Sequence, residues 1–136
     1  MLRLAASAYA EMIGHAYDGL PDEACGLLGG GGDRVQVFVP ARNADASSRT
    51  FTIDKDGWDA ADEVVGPRGL EVVGVMHSHT HTDAYPSPTD VEKGGNPLLE
   101  HWHWIIVSLR DTAPVLRSFR IVDGEIHEEP VVVDRG

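Results

Sequence analysis

Apolar side chains recur at helical spacing in two parts of the chain. Near the N-terminus, four of them at relative offsets of three, four and seven predict an amphipathic helix over residues 5–19. Its apolar positions are Tyr9, Met12, Ile13 and Ala16. A second helix is predicted over DKDGWDAADEVV, with Asp54 or Asp56 as its N-cap, Trp58 in its buried face and GPRG after its end.

Runs of apolar and β-branched residues predict the strands. In the first half of the chain, EACGLLGG and DRVQVFVPA predict two strands joined by the glycines 29–32, and RTFTID predicts a third. The run LEVVGVMHSH predicts a long buried strand whose apolar residues lead directly into histidines.

The second half of the chain has the pattern of strands alone. HWHWIIVSL, PVLRSFRIV and EIHEEPVVV predict three more, of which the last two form a hairpin about the turn DG. Helices combined with mostly antiparallel strands indicate an α+β fold. A length of 136 residues suits a single domain, expected to span residues 1–136.

Composition narrows the classes of function. Charged residues make up 24% of the chain and the formal net charge is -11, which would repel a nucleic-acid backbone and an anionic membrane surface. Neither is an expected partner. Because the chain has one cysteine, no intramolecular disulfide can form, and a cytoplasmic location is expected.

Histidines lie at alternate positions at the end of the long strand. Side chains two apart on a strand project from the same face, so His77 and His79 can direct their imidazoles at one point while Ser78 faces the other way. That geometry suits two ligands of a metal ion. His81 continues the alternation, either as another ligand or substrate contact or as a solvated loop residue.

A turn and a short helix are predicted after the histidines. Ser87 fits a helix N-cap, Pro88 occupies the favoured first helical position, and Asp90 follows the cap by three residues. A carboxylate there could complete a site of two nitrogens and one oxygen, the kind of three-ligand set that catalytic zinc uses. Ser87 and Asp90 also have the spacing of a capping box, which would explain both residues without a metal.

Glu23, at the start of an apolar strand, is the candidate general base, because a carboxylate in such a place is costly unless it is used or paired. An exposed strand end is the alternative. Nearby Cys25 could be a nucleophile, although a small cysteine at the start of an apolar strand is usually part of the core.

Two further groups of residues leave alternatives open. His101 and His103 would share one face of a strand, with Trp102 and Trp104 on the other, forming either a second metal site or the polar face of a half-buried strand. Tyr85 could line a substrate groove or pack against the protein.

Glu23, HSHT at 77–80, Ser87 and Asp90 together match E…H-[ST]-H-x7-S-x2-D in every position. This pattern resembles the motif of the JAMM (MPN+) metalloproteases. DEACGLLGG, AYPSPTD and SFRIVDGEIHEEPV extend the resemblance over nearly the whole chain to the actinobacterial Mec-type hydrolases, which release cysteine from the C-terminus of a small sulfur-carrier protein. The tetraglycine turn and HWHW depart from the pattern without touching the motif.

The resemblance implies the MPN/JAMM fold, which is cytidine-deaminase-like, and zinc bound by His77, His79 and Asp90. Glu23 and Ser87 would be catalytic, and the substrate would be a ubiquitin-like sulfur carrier with a C-terminal Gly-Gly tail. A broader peptidase acting on other ubiquitin-like tails and a non-catalytic scaffold are the alternatives. A homodimer is a further expectation.

Overall fold

The computed structural model describes residues 1–135, which form an eight-stranded sheet with three α-helices packed against it. The strands are β1 Leu2–Ala5, β2 Cys25–Gly31, β3 Arg34–Ala41, β4 Glu71–His79, β5 His103–Ser108, β6 Val115–Val122, β7 Glu125–Glu129 and β8 Val131–Asp134. The helices are α1 Ala6–Asp18, α2 Lys55–Val65 and α3 Pro88–Lys93, with short 3-10 helices at Gly66–Arg68 and Pro97–Leu99. No helix in these residues is long and apolar enough to cross a membrane.

The sheet is mixed, with strand order β7-β6-β5-β4-β2-β3-β1-β8. Neighbouring strands are antiparallel except in the pairs β1–β3, β1–β8 and β4–β5, so the predicted α+β fold with a mostly antiparallel sheet is confirmed. Only Pro130 separates β7 from β8, although they lie at opposite ends of the order. The sheet must therefore curl so that β8 can follow β7 directly, and the Leu2 amide of β1 donates to the carbonyl of the connecting Pro130 at 2.8 Å.

Strand β4 lies inside the sheet, between β2 and β5, and separates two apolar cores. Met76 belongs to the core covered by α1, whereas Val75 belongs to the core that contains Ala61 of α2. Alternation then puts His77 and His79 on the Val75 side and Ser78 on the α1 side. Gly74 allows β5 to approach, because a Cβ there would lie 2.1 Å from the His103 carbonyl oxygen.

Several predicted elements hold and others need correction. Asp54 caps α2 by accepting from the Gly57 amide, and the DG turn has φ of 53° and 77° at Asp123 and Gly124, as the tightest hairpins require. The predicted strand RTFTID is wrong: residues 49–54 are irregular, and Phe51 is buried through contacts outside any strand.

The chain ends also differ from the prediction. Leu2–Ala5 forms a strand before the first helix, and EIHEEPVVV divides at Pro130 into β7 and β8. Four residues are too few for periodicity to distinguish a strand from a helix start, and pairing with β3 and β8 decides the outcome. Of the tetraglycine run, residues 29–31 belong to β2 and only Gly32, with φ of 57°, lies in the turn.

Candidate metal centre

The end of β4 directs two imidazoles at one point. The Nε2 atoms of His77 and His79 lie 3.1 Å apart, and both side chains are buried. The His77 ring stacks on Phe51 with centroids 4.5 Å apart and 19° between the planes. Nδ1 of His79 lies 2.7 Å from the Asp83 carbonyl oxygen, which can only accept, so Nδ1 carries a proton. In a neutral ring, Nε2 then presents a lone pair to the site.

A capping box brings the third group to the same place. The Ser87 Oγ accepts from the Asp90 amide at 3.2 Å, and Oδ2 of Asp90 accepts from the Ser87 amide at 2.9 Å. The same Oδ2 atom lies 3.2 Å from Nε2 of His77 and 3.2 Å from Nε2 of His79. The cap and the cluster are therefore not alternatives, since the cap orients the carboxylate that the cluster uses.

The three atoms form a nearly equilateral triangle that fits a metal ion. A tetrahedral zinc ion with bonds of about 2.0–2.1 Å would separate its ligand atoms by about 3.3–3.4 Å. The observed separations of 3.1 and 3.2 Å are close to this. If both rings are neutral with Nε2 unprotonated, three acceptors converge and repel unless a cation lies among them. Among residues 1–135, this is the one group of three or more His, Cys, Asp or Glu side chains that could hold a metal ion.

The electrostatics keep Asp90 anionic and His77 neutral. Burial acts to raise the pKa of Asp90, but its interactions with the two imidazoles outweigh burial and hold the pKa well below its usual range. Burial lowers the pKa of His77, whose Nδ1 has no hydrogen-bond partner among the described residues. Burial also acts to lower the pKa of His79, but hydrogen bonds to Asp90 and the Asp83 carbonyl leave it raised.

Glu23 is buried beside the histidines, two residues before β2 begins. Burial raises the pKa of its carboxyl group to about 7, against a smaller lowering effect of His79. The carboxylate makes no hydrogen bond within the described part of the chain, although the Glu23 backbone is bonded to Ser47 and Asn43. The predicted alternative of an exposed strand end is therefore wrong.

A cavity of about 350 Å³ gives access to this group, lined among others by Glu23, His79 and Ser87. His81 is exposed and lines the same cavity, but it is not part of the ligand triangle. Tyr85 is 47% exposed and packs edge-on against Phe119, so its part in a groove stays a prediction.

The sequence patterns do not predict the supporting contacts of three residues, Ser78, Lys93 and Phe51. On the α1 side of the sheet, Ser78 accepts from the Ala24 amide at 2.8 Å and so joins β4 to the segment that carries Glu23. Lys93 donates to the Phe51 carbonyl oxygen and lies 4.0 Å from the centre of the Phe51 ring. The middle position of HSH was a signal for Ser78, but nothing local indicates contacts across 42 residues.

The remaining candidates are structural. Cys25 is buried in the core, and burial raises the pKa of its thiol to about 12, which disfavours the thiolate that a nucleophile needs. Trp58 is 38% exposed, so its predicted burial is wrong; the buried residues of α2 are Gly57, Ala61 and Val65.

The HWHW segment forms neither a second metal site nor a half-buried strand. His101 is exposed and precedes β5, all of whose residues are buried. The His103 Nδ1 lies 2.6 Å from Oε2 of Glu129, to which the Ser118 hydroxyl donates at 2.8 Å. This buried ion pair satisfies the only histidine within the strand.

Comparison with known proteins identifies the family to which this fold belongs. Residues 5–122 match the family described as prokaryotic homologs of the JAB domain, and the chain belongs to that family. The resemblance to JAMM proteins inferred from the motif is therefore confirmed.

Curated relatives cover most of the chain. A CysO-cysteine peptidase of Mycobacterium tuberculosis is 43% identical over 132 residues, covering 90% of this chain and 84% of that protein. A desampylase of Haloferax volcanii is 34% identical over 103 residues, covering 71% of this chain and 74% of its own.

Solved structures share the fold. A protein from Desulfitobacterium hafniense superposes with a TM-score of 0.88 at 33% identity, covering 100% of this chain and 94% of the other. A JAB1/MPN domain protein from Archaeoglobus fulgidus gives a TM-score of 0.60 at 20% identity, covering 97% of each chain. The MPN/JAMM fold expected from the sequence is confirmed.

Proposed function

We propose that this chain is a zinc-dependent peptidase that hydrolyses the amide bond between the C-terminal glycine of a ubiquitin-like sulfur-carrier protein and cysteine, releasing cysteine. The convergence of two imidazole nitrogens and one carboxylate oxygen within 3.2 Å of one another, beside a buried glutamate, is the observation that carries the proposal. The 43% identity to a CysO-cysteine peptidase supports the choice of substrate.

His77, His79 and Asp90 would hold the zinc ion. When bound by three protein groups, zinc makes water a nucleophile near neutral pH and polarises a carbonyl oxygen. The protein orients these ligands in advance: the Asp83 carbonyl fixes the His79 ring, and the Ser87 amide fixes the Asp90 carboxylate.

Glu23 would act as general base and then as general acid. Its carboxylate takes a proton from the attacking water as oxygen bonds to the scissile carbonyl carbon. It then returns that proton to the cysteine nitrogen as the carbon–nitrogen bond breaks. A pKa of about 7 suits both transfers near neutral pH, and such catalysis typically contributes about 10²–10⁴ in rate.

Ser87 would stabilise the oxyanion. Its Oγ already accepts a hydrogen bond from the Asp90 amide, so its own hydroxyl hydrogen is free to be donated into the cavity that the residue lines. Loss of one oxyanion donor costs about 2.7–4 kcal/mol in other enzymes.

The substrate would enter as an extended tail ending in Gly-Gly. Such tails commonly bind by adding a strand to a sheet edge, so that main-chain hydrogen bonds provide affinity and small glycines fit a narrow passage. The single domain over residues 1–136, the homodimer and the cytoplasmic location stay predictions.

The test is incubation of the purified protein with CysO–cysteine, with and without a chelator, followed by mass spectrometry of the carrier. We expect loss of the terminal cysteine, abolished by the chelator and restored by zinc. Cleavage of unrelated ubiquitin-like tails at equal rates would favour the broader peptidase, in line with the desampylase relative. Binding without cleavage would favour a scaffold.

A further inference from the structure

Arg49 is one of the residues that line the cavity beside Glu23, His79 and Ser87. Its side chain is exposed and has no carboxylate within 4.0 Å in residues 1–135. Five other arginines in the described chain have a carboxylate within 4.0 Å, and acidic residues outnumber basic ones 22 to 11 in the sequence. An unpaired cation beside the candidate site is therefore available to a ligand.

The loop holds Arg49 against the strand that carries the histidines. On its N-terminal side, the Ser48 carbonyl accepts from the Thr80 hydroxyl at 3.2 Å, and Thr80 directly follows His79. The Arg49 amide itself donates to the Ser47 Oγ at 3.1 Å. The backbone of the arginine is thus fixed relative to β4.

A second anchor joins the other side of Arg49 to the segment of Glu23. The side-chain amide of Asn43 donates to the Thr50 carbonyl at 2.9 Å and to the Glu23 carbonyl at 3.0 Å. Its Oδ1 also accepts from the Thr52 amide at 3.2 Å. One neighbour of Arg49 is therefore bonded to Thr80, and the other is linked through Asn43 to Glu23, although 26 positions separate Arg49 from Glu23 in sequence.

The proposed reaction places a negative charge in this cavity. In the proposed reaction, the residue that is released is the C-terminal residue of the substrate. Its α-carboxylate therefore lies next to the scissile nitrogen. Within the cavity this carboxylate meets the Glu23 carboxyl group, in a protein of net charge -11. A guanidinium is always charged and matches a carboxylate with two parallel N–H donors, so it offsets that repulsion and fixes the leaving residue.

We propose that Arg49 binds the α-carboxylate of the residue that is released, and so makes the enzyme selective for a single C-terminal residue with a free carboxylate. A leaving group without that carboxylate, such as an isopeptide-linked lysine or an amide, would lose the contact. This inference rests on the proposed function. His81 lines the same cavity, but an imidazole is cationic only when protonated, whereas Arg49 needs no proton uptake.

The test compares two substrates, CysO–cysteine with its free carboxylate and the same conjugate made with cysteinamide. Binding of each to Glu23→Gln protein by calorimetry gives a readout that does not depend on turnover, and kcat/KM is measured for the same pair with Glu23 intact. We expect a preference for the free carboxylate of about tenfold or more, as one charge-assisted hydrogen bond provides.

In Arg49→Ala, the ratio between the two substrates should fall to about one for both binding affinity and kcat/KM. Arg49→Lys should restore part of each ratio. Arg68→Ala is the matched control, since Arg68 is also exposed and without an ion pair in residues 1–135, and it should leave both ratios unchanged. Thermal unfolding of each variant checks the fold. A preference that survives Arg49→Ala, or equal cleavage of both substrates by the unchanged protein, overturns the inference and leaves the proposed function standing. Cleavage of neither substrate overturns both.

Discussion

The Nε2 atoms of His77 and His79 lie 3.1 Å apart because the two residues share one face at the end of an interior strand. Pairing with β2 and β5 on either side fixes that strand as far as His77, and the β5 pairing continues to His79. The relationship is therefore built into the backbone of the sheet, and only Asp90 has to be brought from elsewhere.

Glu23→Gln should slow turnover strongly while leaving zinc binding intact. Glutamine has nearly the same shape but cannot take up the proton, so we expect kcat to fall by about 10²–10⁴. The variant's zinc content, measured by mass spectrometry, should equal that of the unchanged protein. A fully active Glu23→Gln protein would remove Glu23 from the mechanism.

Activity should rise with pH through about 7, the value to which burial raises the pKa of Glu23. The sign follows from its role: below that pKa the carboxyl group is protonated and cannot accept a proton from water, and above it the base is available. A profile of kcat/KM between pH 5 and pH 9 checks this. A profile that is flat or falls across neutral pH contradicts it.

Ser87→Ala should impair both catalysis and stability. Loss of an oxyanion donor lowers kcat by about 10²–10³, and loss of the N-cap lowers the free energy of unfolding by about 1 kcal/mol. Ser87→Thr is the control, because threonine keeps a hydroxyl that can cap the helix. If the alanine variant loses stability but keeps its kcat, Ser87 is a cap and no more.

Stability should depend on pH through the buried pair of His103 and Glu129. Burial acts to lower the pKa of His103, but the hydrogen bond to Glu129 outweighs burial and leaves the pKa raised. The stability that His103 contributes to the fold is therefore full below about pH 6.5 and is lost at higher pH. Burial acts to raise the pKa of Glu129, but hydrogen bonds from His103 and Ser118 outweigh burial and leave the pKa lowered. The stability that Glu129 contributes to the fold is therefore full above about pH 4.5 and is lost at lower pH.

The pair therefore stabilises the fold most between about pH 4.5 and 6.5. Denaturant unfolding should give a larger free energy at pH 6 than at pH 8.5. His103→Gln should reduce that difference, whereas His101→Gln, which changes an exposed neighbour outside β5, should preserve it. An unchanged difference in His103→Gln would show that other groups cause it.

Local patterns were sufficient for the parts of the site that lie close together in sequence. Alternation on a strand predicted that His77 and His79 share a face, and the capping-box spacing predicted the turn at Ser87 and the position of Asp90. The two interpretations of Asp90, cap or ligand, could not be separated, because Oδ2 has lone pairs for both and only the fold brings the histidines to it.

Features that depend on distant contacts were not predicted. The alternating residues 49–54 resemble a strand, but Phe51 instead packs against His77 from an irregular loop. The helix pattern predicts Trp58 in the buried face of α2, but Trp58 is 38% exposed and the smaller Ala61 is buried. His103 was grouped with His101 by spacing alone, whereas its buried partner, Glu129, lies 26 positions away.

Zinc titration of the metal-free protein by calorimetry tests the central claim most directly, with His77→Ala and Asp90→Ala as the variants and His81→Ala as the matched control. We predict one ion per chain for the unchanged protein and for His81→Ala, and binding weakened by several orders of magnitude in the other two. Binding of equal affinity in His77→Ala and Asp90→Ala, or no binding by the unchanged protein, would contradict the account.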